Sequence, residues 1–361
     1  MSNPLCLLVH DPVLAGWYSH VLRQTGFSTL ELSPALEPIR LPDATRPESV
    51  LIDPVFFSDP MRPLLLPFLE QCTSLKIPVH ALPTPLEPLA RSARSLGVPA
   101  LSTQSPVREA LGVLVNDILP GRELAGTEPE FQKQVLDGLH ESLARFQAAL
   151  RGSAHLSAPE LVPAEQLLHA HSLALLAGVA EPGVIFRVAK AILQTVFERF
   201  QPAPAPASIH RTLAQGADLL STLLDPVRTH SPEDLPPVLV VEDDPNTSQL
   251  ICAALEIVEL TAMPALTAEK GLTLAESDFF GLVLLDIGLP SMSGLEFCRQ
   301  LRALPLHQHT PVVFLTGLTD LPNRVQSNLS GGNEFVCKPF NVHELGLKAL
   351  LWNLRRALPG S

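Results

Sequence analysis

Acidic, hydroxyl and lysine side chains follow four short apolar segments in the last third of the chain. They are Glu242 and Asp243 after "VLVV", Asp286 after "LVLL", Thr316 after "VVFL" and Lys338 after "FVC". Carboxylates that lie close together favour a hard cation such as Mg²⁺ between them, and a carboxylate can also attack phosphorus. The lysine ammonium and the threonine hydroxyl could then hold the anionic oxygens of a phosphoryl group on Asp286.

The elements that carry these residues have the pattern of an α/β domain. The apolar segments are continuous rather than alternating, which is typical of strands buried on both faces of a parallel sheet. Between them, apolar residues recur every three or four positions, as from Leu250 to Val258, which predicts helices. Because the carboxyl ends of parallel strands share one edge of the sheet, we expect the polar residues to converge there.

The order and spacing of four motifs then indicate a family. They are "VLVVEDDP" at 238–245, "LVLLDIGLPSMSGLEF" at 282–297, "PVVFLTG" at 311–317 and "FVCKPF" at 335–340. Residues 237–357 resemble the receiver domain of bacterial two-component response regulators. The resemblance implies a flavodoxin-like doubly wound fold, and phosphorylation of an aspartate by a sensor histidine kinase or phosphotransfer protein with Mg²⁺.

The resemblance also implies a role for each matching residue. Asp286 would be the phosphoacceptor, Glu242 and Asp243 would hold Mg²⁺ with it, the Gly288 backbone carbonyl would be a further ligand, Lys338 would bind the phosphate before a cis Pro339, and Thr316 and Phe335 would form the switch pair. Two neighbours have structural interpretations. We expect Asp244 to cap a helix and Gly294 to adopt a positive φ.

Residues 1–120 repeat this layout weakly. Placed over the C-terminal segment, Asp53 falls on Asp286, but His10, Leu82 and Ser105 replace an acid, the threonine and the lysine. A last strand is expected at 98–101. The segment resembles a degenerate receiver, or pseudo-receiver, for which we expect dimerisation or partner docking rather than phosphotransfer.

Residues 121–235 show four amphipathic helical patterns that predict a central all-α bundle. The stretch "HAHSLALLAG" at 169–178 resembles the helix of histidine phosphotransfer domains, and the match places a phosphorylated histidine at His171. Ala174 and Leu175 stand where that family usually has Lys and Gly. Because Leu175 lies on the same helix face as His171, it would crowd an approaching aspartate, so a partly buried structural histidine is favoured.

Composition narrows the class of protein. The 361 residues carry a formal net charge of −12, and the acidic excess extends over all three segments, from which we expect no nucleic-acid partner. The five cysteines form no C-x-x-C pair, as in proteins of a reducing cytoplasm. No uncharged apolar stretch is long enough to span a bilayer, and we expect no membrane partner.

These observations predict a pseudo-receiver at 1–120, a phosphotransfer-like bundle at 121–235 and a working receiver at 236–361. The function predicted is that of a cytoplasmic response regulator, not an enzyme, which acts on a downstream signalling protein and could form a homodimer. Two alternatives stay open: a phosphorelay intermediate that uses His171, and a scaffold that is not phosphorylated. A phosphatase of the haloacid-dehalogenase type is disfavoured because Gly288 occupies the position of its second acid.

Overall fold

The chain divides into two compact units, residues 1–182 and residues 183–361. The computed structural model describes residues 4–24, 27–32, 39–41, 46–59, 61–100, 111–114, 129–152, 162–180, 183–200, 208–225, 235–317 and 331–357. The boundary between the units falls inside the segment that the sequence predicts as a single bundle.

Among its described residues, the first unit contains a parallel four-stranded sheet in the order β2-β1-β3-β4. Its elements are β1 (Leu5–Leu8), α1 (Pro12–Gln24), β2 (Thr29–Leu32), β3 (Ser49–Ile52), a 3-10 helix η1 (Pro54–Phe57), α2 (Arg62–Ser74), β4 (Val79–Ala81) and α3 (Glu87–Ser95). Strands β1 and β3 are buried along their whole length. The sheet is therefore covered on both faces, as the continuous apolar runs predict.

The strand expected at 98–101 is not present among the described residues 98–100. The amide of Ala81 donates a single hydrogen bond of 2.9 Å to the carbonyl of Pro99, which leaves this segment beside β4 without forming a ladder. The pseudo-receiver interpretation of this unit stays a prediction.

In the part of 121–235 that the structure describes, the predicted helical middle of the chain is present as four helices. They are α4 (Pro129–Gly152), α5 (Val162–Ala180), α6 (Gly183–Phe197) and α7 (Ser208–Leu223). The first two pack against each other in the first unit, and the last two pack against each other in the second unit. The phosphotransfer-like interpretation of this region also stays a prediction.

The second unit contains a parallel five-stranded sheet in the order β6-β5-β7-β8-β9. Its elements after α7 are β5 (Val238–Val241), α8 (Pro245–Ile257), β6 (Ala262–Ala265), α9 (Ala268–Ser277), β7 (Leu282–Asp286), α10 (Gly294–Ala303), a 3-10 helix η2 (Pro305–His307), β8 (Val312–Thr316), β9 (Glu334–Cys337) and α11 (Val342–Ala357); a short 3-10 turn, Glu198–Phe200, extends α6. This strand order is that of a doubly wound α/β fold, whose ligand site lies beyond the carboxyl ends of the strands.

Helices α6 and α7 pack against α11 within this second unit. The ammonium of Lys190 on α6 lies 3.0 Å from the carboxylate of Glu259, which follows α8. The hydroxyl of Thr212 on α7 donates a 2.9 Å hydrogen bond to the carboxylate of Glu344 on α11. Both contacts join the helical pair to the helices that cover the sheet.

Among the helices that the structure describes, none is both long and apolar enough to cross a membrane.

Candidate functional site

The residues at the carboxyl ends of β5, β7, β8 and β9 meet at one edge of the second sheet. The ammonium of Lys338 lies 2.7 Å from a carboxylate oxygen of Glu242 and 2.9 Å from one of Asp286. The Lys338 amide donates a 2.8 Å hydrogen bond to the carbonyl of Thr316, which holds the end of β9 against the end of β8. The Lys338–Pro339 peptide bond is cis, as the resemblance implies.

Burial and hydrogen bonds to neighbouring charged groups shift the pKa values of Glu242 and Lys338 in opposite directions. The side chain of Glu242 is 1% exposed, and burial raises its pKa, although the hydrogen bond from Lys338 partly offsets that rise. Burial alone would lower the pKa of Lys338, but its hydrogen bonds with Glu242 and Asp286 outweigh burial and raise it. Lys338 is therefore a fixed cation between two carboxylates.

The carboxylates also fit a divalent cation. Oxygen atoms of Glu242, Asp243 and Asp286 lie within 4.8 Å of one another. An all-oxygen donor set without histidine or cysteine matches the preference of Mg²⁺. The amide of Gly288 donates a 3.1 Å hydrogen bond to Asp286, whereas the use of its carbonyl as a metal ligand stays a prediction.

The residues expected to act as a switch lie beside the cluster. Thr316 is 1% exposed at the end of β8, and its hydroxyl donates a 3.1 Å hydrogen bond to the carbonyl of Gly317. The ring of Phe335 stacks on Phe314, with ring centroids 5.9 Å apart, and packs against the core of the unit. The geometry is compatible with a switch, and the switching role itself stays a prediction.

Asp244 and Gly294 have structural roles next to the site. Asp244 caps α8 by accepting a 2.9 Å hydrogen bond from the amide of Thr247, which confirms the expected cap. The expectation for Gly294 is wrong, because its φ is not positive. A Cβ at Gly294 would lie 2.3 Å from the carbonyl oxygen of Asp286, so the close approach of the two backbones is what requires glycine there.

The corresponding edge of the first sheet has a different set of residues. Asp53 follows β3 and Leu82 follows β4, as the sequence comparison of the two segments predicts. Ser105 lies outside the described residues. The carboxylate of Asp53 is 1% exposed and lies 3.2 Å from Nδ1 of His171 on α5. This contact was not predicted, because no spacing in the sequence links residues of separate predicted segments.

A comparison with known families agrees with the geometry of the second unit. Residues 238–349 match the family described as the response regulator receiver domain. The second unit contains a response regulator receiver domain. Its strand-end carboxylates and lysine are those on which the family resemblance was based.

The curated relatives match the same region of the chain. The response regulator ArlR of Staphylococcus saprophyticus is 34% identical over 108 residues, which are 30% of this chain and 48% of ArlR. RpaA of Synechocystis, described as a DNA-binding dual master transcriptional regulator, is 32% identical over 111 residues, 31% of this chain and 46% of RpaA. The chain thus spans about half the length of the curated relatives it matches.

Solved structures of single receiver domains also match. A CheY-like receiver domain protein from Methanospirillum hungatei is 30% identical with a TM-score of 0.32, and the match covers 34% of this chain and 99% of that one. Chemotaxis protein CheY4 of Vibrio cholerae is 26% identical with a TM-score of 0.32, over 34% of this chain and all of that one.

The expectation that nucleic acid is excluded as a partner is wrong. A relative matched over the receiver, RpaA, is a DNA-binding regulator by its description. The net charge of a segment reports only on direct electrostatic binding by that segment. An acidic receiver is therefore compatible with a regulator that acts on DNA.

Proposed function

We propose that this chain is a response regulator whose receiver domain is phosphorylated on Asp286 by a sensor histidine kinase or a phosphotransfer protein. The main support is the position of Lys338, which contacts both Asp286 and Glu242 at 2.9 and 2.7 Å. A lysine held there places a positive charge where a phosphoryl group on Asp286 would carry its negative charge. In this proposal the domain promotes only its own phosphorylation and dephosphorylation, and acts on no separate substrate.

The proposed transfer is a displacement at phosphorus. An Asp286 carboxylate oxygen attacks the phosphorus of a phosphohistidine, the P–N bond breaks, and the imidazole leaves with that electron pair and takes a proton from solvent. The Lys338 ammonium, which contacts the Asp286 carboxylate before the transfer, would bind the phosphoryl oxygens after it. The amide of Gly288, which donates to Asp286 at 3.1 Å, holds the other carboxylate oxygen in place.

Glu242, Asp243 and Asp286 would hold Mg²⁺ in this scheme, since their oxygen atoms lie within 4.8 Å of one another. A bound Mg²⁺ supplies positive charge that offsets the repulsion between the carboxylates and the incoming phosphoryl oxygens. Glu242 lies in a buried position, and Asp243 is exposed at the mouth of the site.

The proposed output is a change in the surface near Thr316 and Phe335. A phosphoryl group on Asp286 would offer acceptors to the Thr316 hydroxyl, which now donates to the neighbouring Gly317 carbonyl. Movement of that hydroxyl would alter the packing beside Phe335, and a downstream signalling protein would read the change. The description of RpaA adds nucleic acid as a second class of downstream partner.

The two alternative functions have less support. A phosphorelay through His171 requires an accessible imidazole, but the His171 side chain is 1% exposed and lies against Asp53. A scaffold without phosphorylation would need neither the Lys338 contacts nor the three converging carboxylates.

Phosphorylation by a small phosphodonor with Mg²⁺ tests the proposal. We expect the intact mass of the wild type to rise by one phosphoryl group with the acid and base lability of an acyl phosphate. Asp286→Asn should abolish this increase, whereas Asp278→Asn, at an exposed aspartate of the same unit, should retain it. Phosphate on Asp286→Asn, or none on the wild type, would contradict the proposal.

A further inference from the structure

Helix α5 covers the carboxylate at the end of β3 in the first unit. Nδ1 of His171 lies 3.2 Å from Oδ1 of Asp53, and each side chain is 1% exposed. The same Asp53 oxygen accepts a 3.1 Å hydrogen bond from the amide of Val55, at the start of η1. Helix α5 packs against α4, α1 and η1, so a helix of the same unit closes the edge of the sheet at which Asp53 lies.

The surroundings of this contact are rich in titratable groups. The His10 amide, after β1, lies 3.5 Å from the second oxygen of Asp53. The rings of His10 and His169 are 6.4 Å apart, and the hydroxyl of Ser142 on α4 donates a 3.2 Å hydrogen bond to Asp11. Among the described residues, the charges of Asp53, Asp11, Arg145 and His10 act on one or more of the three histidines, and the charge of Asp53 also acts on Tyr18.

The histidines of this cluster are held in their neutral form. Burial lowers the pKa of His171, and the opposing charge of Asp53 does not overcome it. Burial also lowers the pKa of His10, and the charges of Asp53 and Asp11 oppose that fall without overcoming it. Burial lowers the pKa of His169 as well, and His10 and Arg145 lower it further. Within the described residues, neither ring nitrogen of His171 has a hydrogen bond of good geometry. A second proton on this ring would place in the interior a charge that water does not solvate and that no hydrogen bond of good geometry stabilises; the Asp53 carboxylate at 3.2 Å offsets only part of that cost.

We propose that α5 is a proton-controlled cover of Asp53: it is closed while His171 is neutral, and acidification below about pH 6.5 increases the population in which it is open and Asp53 is accessible. The opening is a local unfolding of the first unit, because α5 also buries apolar side chains such as Leu173 and Leu176. The proposal concerns a different unit from the receiver and does not depend on phosphorylation of Asp286.

The expected change in the opening equilibrium of α5 with pH follows from proton linkage. In the open form His171 takes up a proton at its ordinary pKa of about 6.5, whereas the closed form does not. The contribution of His171 to the stability of the closed form is therefore complete well above that pH and decreases as the pH falls below it. For one such histidine, the opening equilibrium constant rises about tenfold between about pH 7.5 and about pH 5.5.

Hydrogen exchange of the full chain, followed by mass spectrometry, measures this opening. Protection factors correct for the pH dependence of intrinsic exchange, and peptides from 162–180 and 46–58 report on α5 and on Asp53. We expect their protection to fall about tenfold or more over that pH interval. In His171→Gln, the tenfold contribution of this histidine to the fall in protection should be absent. His140→Gln, at an exposed histidine on α4, should leave the fall unchanged.

Two results would overturn the proposal. Protection that rises on acidification would mean that His171 is an imidazolium paired with Asp53, which reverses the sign. A full pH dependence in His171→Gln would assign the proton to another group. If His171→Gln fails to fold, the ring resonances of ¹³C-labelled wild type decide: a neutral ring at about pH 6 supports the proposal, and a charged ring contradicts it.

Discussion

Substitution of Gly294 by alanine tests the close approach that shapes the phosphoacceptor loop. Gly294 is the first residue of α10, and an added Cβ would lie 2.3 Å from the carbonyl oxygen of Asp286 and 2.9 Å from the Cα of Ile287. Both atoms belong to the backbone, so neither can rotate away as a flexible side chain would. The loop that carries Asp286 has to move instead.

The loss in free energy of unfolding can be compared with that caused by the same substitution at another glycine. Forcing extra atoms into a packed region typically destabilises a protein by about 1–3 kcal/mol. Gly183 is also the first residue of a helix in the same unit, and an added Cβ there meets no atom of the described residues within 4 Å. Gly183→Ala should therefore be neutral, or stabilising by up to about 1 kcal/mol, because alanine favours helix.

Urea unfolding followed by tryptophan fluorescence separates the two units. The chain has two tryptophans, Trp17 in the first unit and Trp352 in the second, so a Trp17→Phe background makes Trp352 the only reporter. With a urea dependence of about 2 kcal/mol/M, a loss of about 2 kcal/mol lowers the midpoint by about 1 M. Equal midpoints for Gly294→Ala and Gly183→Ala would refute the argument from close packing.

Three further perturbations follow from contacts in the second unit. Lys338→Met should lower the free energy of unfolding by about 1–3 kcal/mol in chelator, because two carboxylates lose their counter-charge, and Mg²⁺ should restore part of it in the same urea titration. Asp244→Ala should lower the urea midpoint, and Asp244→Asn, which can still cap α8, should restore most of the loss. Thr212→Val should destabilise the unit by about 1–3 kcal/mol, since buried Glu344 loses a hydrogen bond, and faster amide exchange over 208–223 would report the change. For each of the three substitutions, an unchanged midpoint or exchange rate would contradict the role given to that contact.

The receiver site was predictable from sequence because a parallel sheet converts order along the chain into position in space. Each continuous apolar segment ends at the same edge, so Asp286 and Lys338 had to converge whatever the details of the loops. Gly294 shows the limit of that argument. A positive φ and a close backbone contact both require the absence of a Cβ, and spacing alone does not distinguish them.

The arrangement of the middle helices was less predictable. Helix α5 was expected to be amphipathic, but from Leu173 to Ala177 every residue is apolar and buried. Such a helix has no single apolar face that would indicate its neighbours. Periodicity therefore predicted four helices, but it contained no information on their division between the units or on the contact between His171 and Asp53.

The packing of α6 and α7 on α11 bears on how the receiver should be excised for separate study. A recombinant fragment that begins near Pro236 would follow the family boundary. It would nevertheless remove Lys190 and Thr212, which contact Glu259 and Glu344, and expose the α11 surface that α6 and α7 cover. Such a fragment risks self-association through that surface, which would be mistaken for a regulated dimer. A fragment that begins at Gly183 keeps the second unit intact.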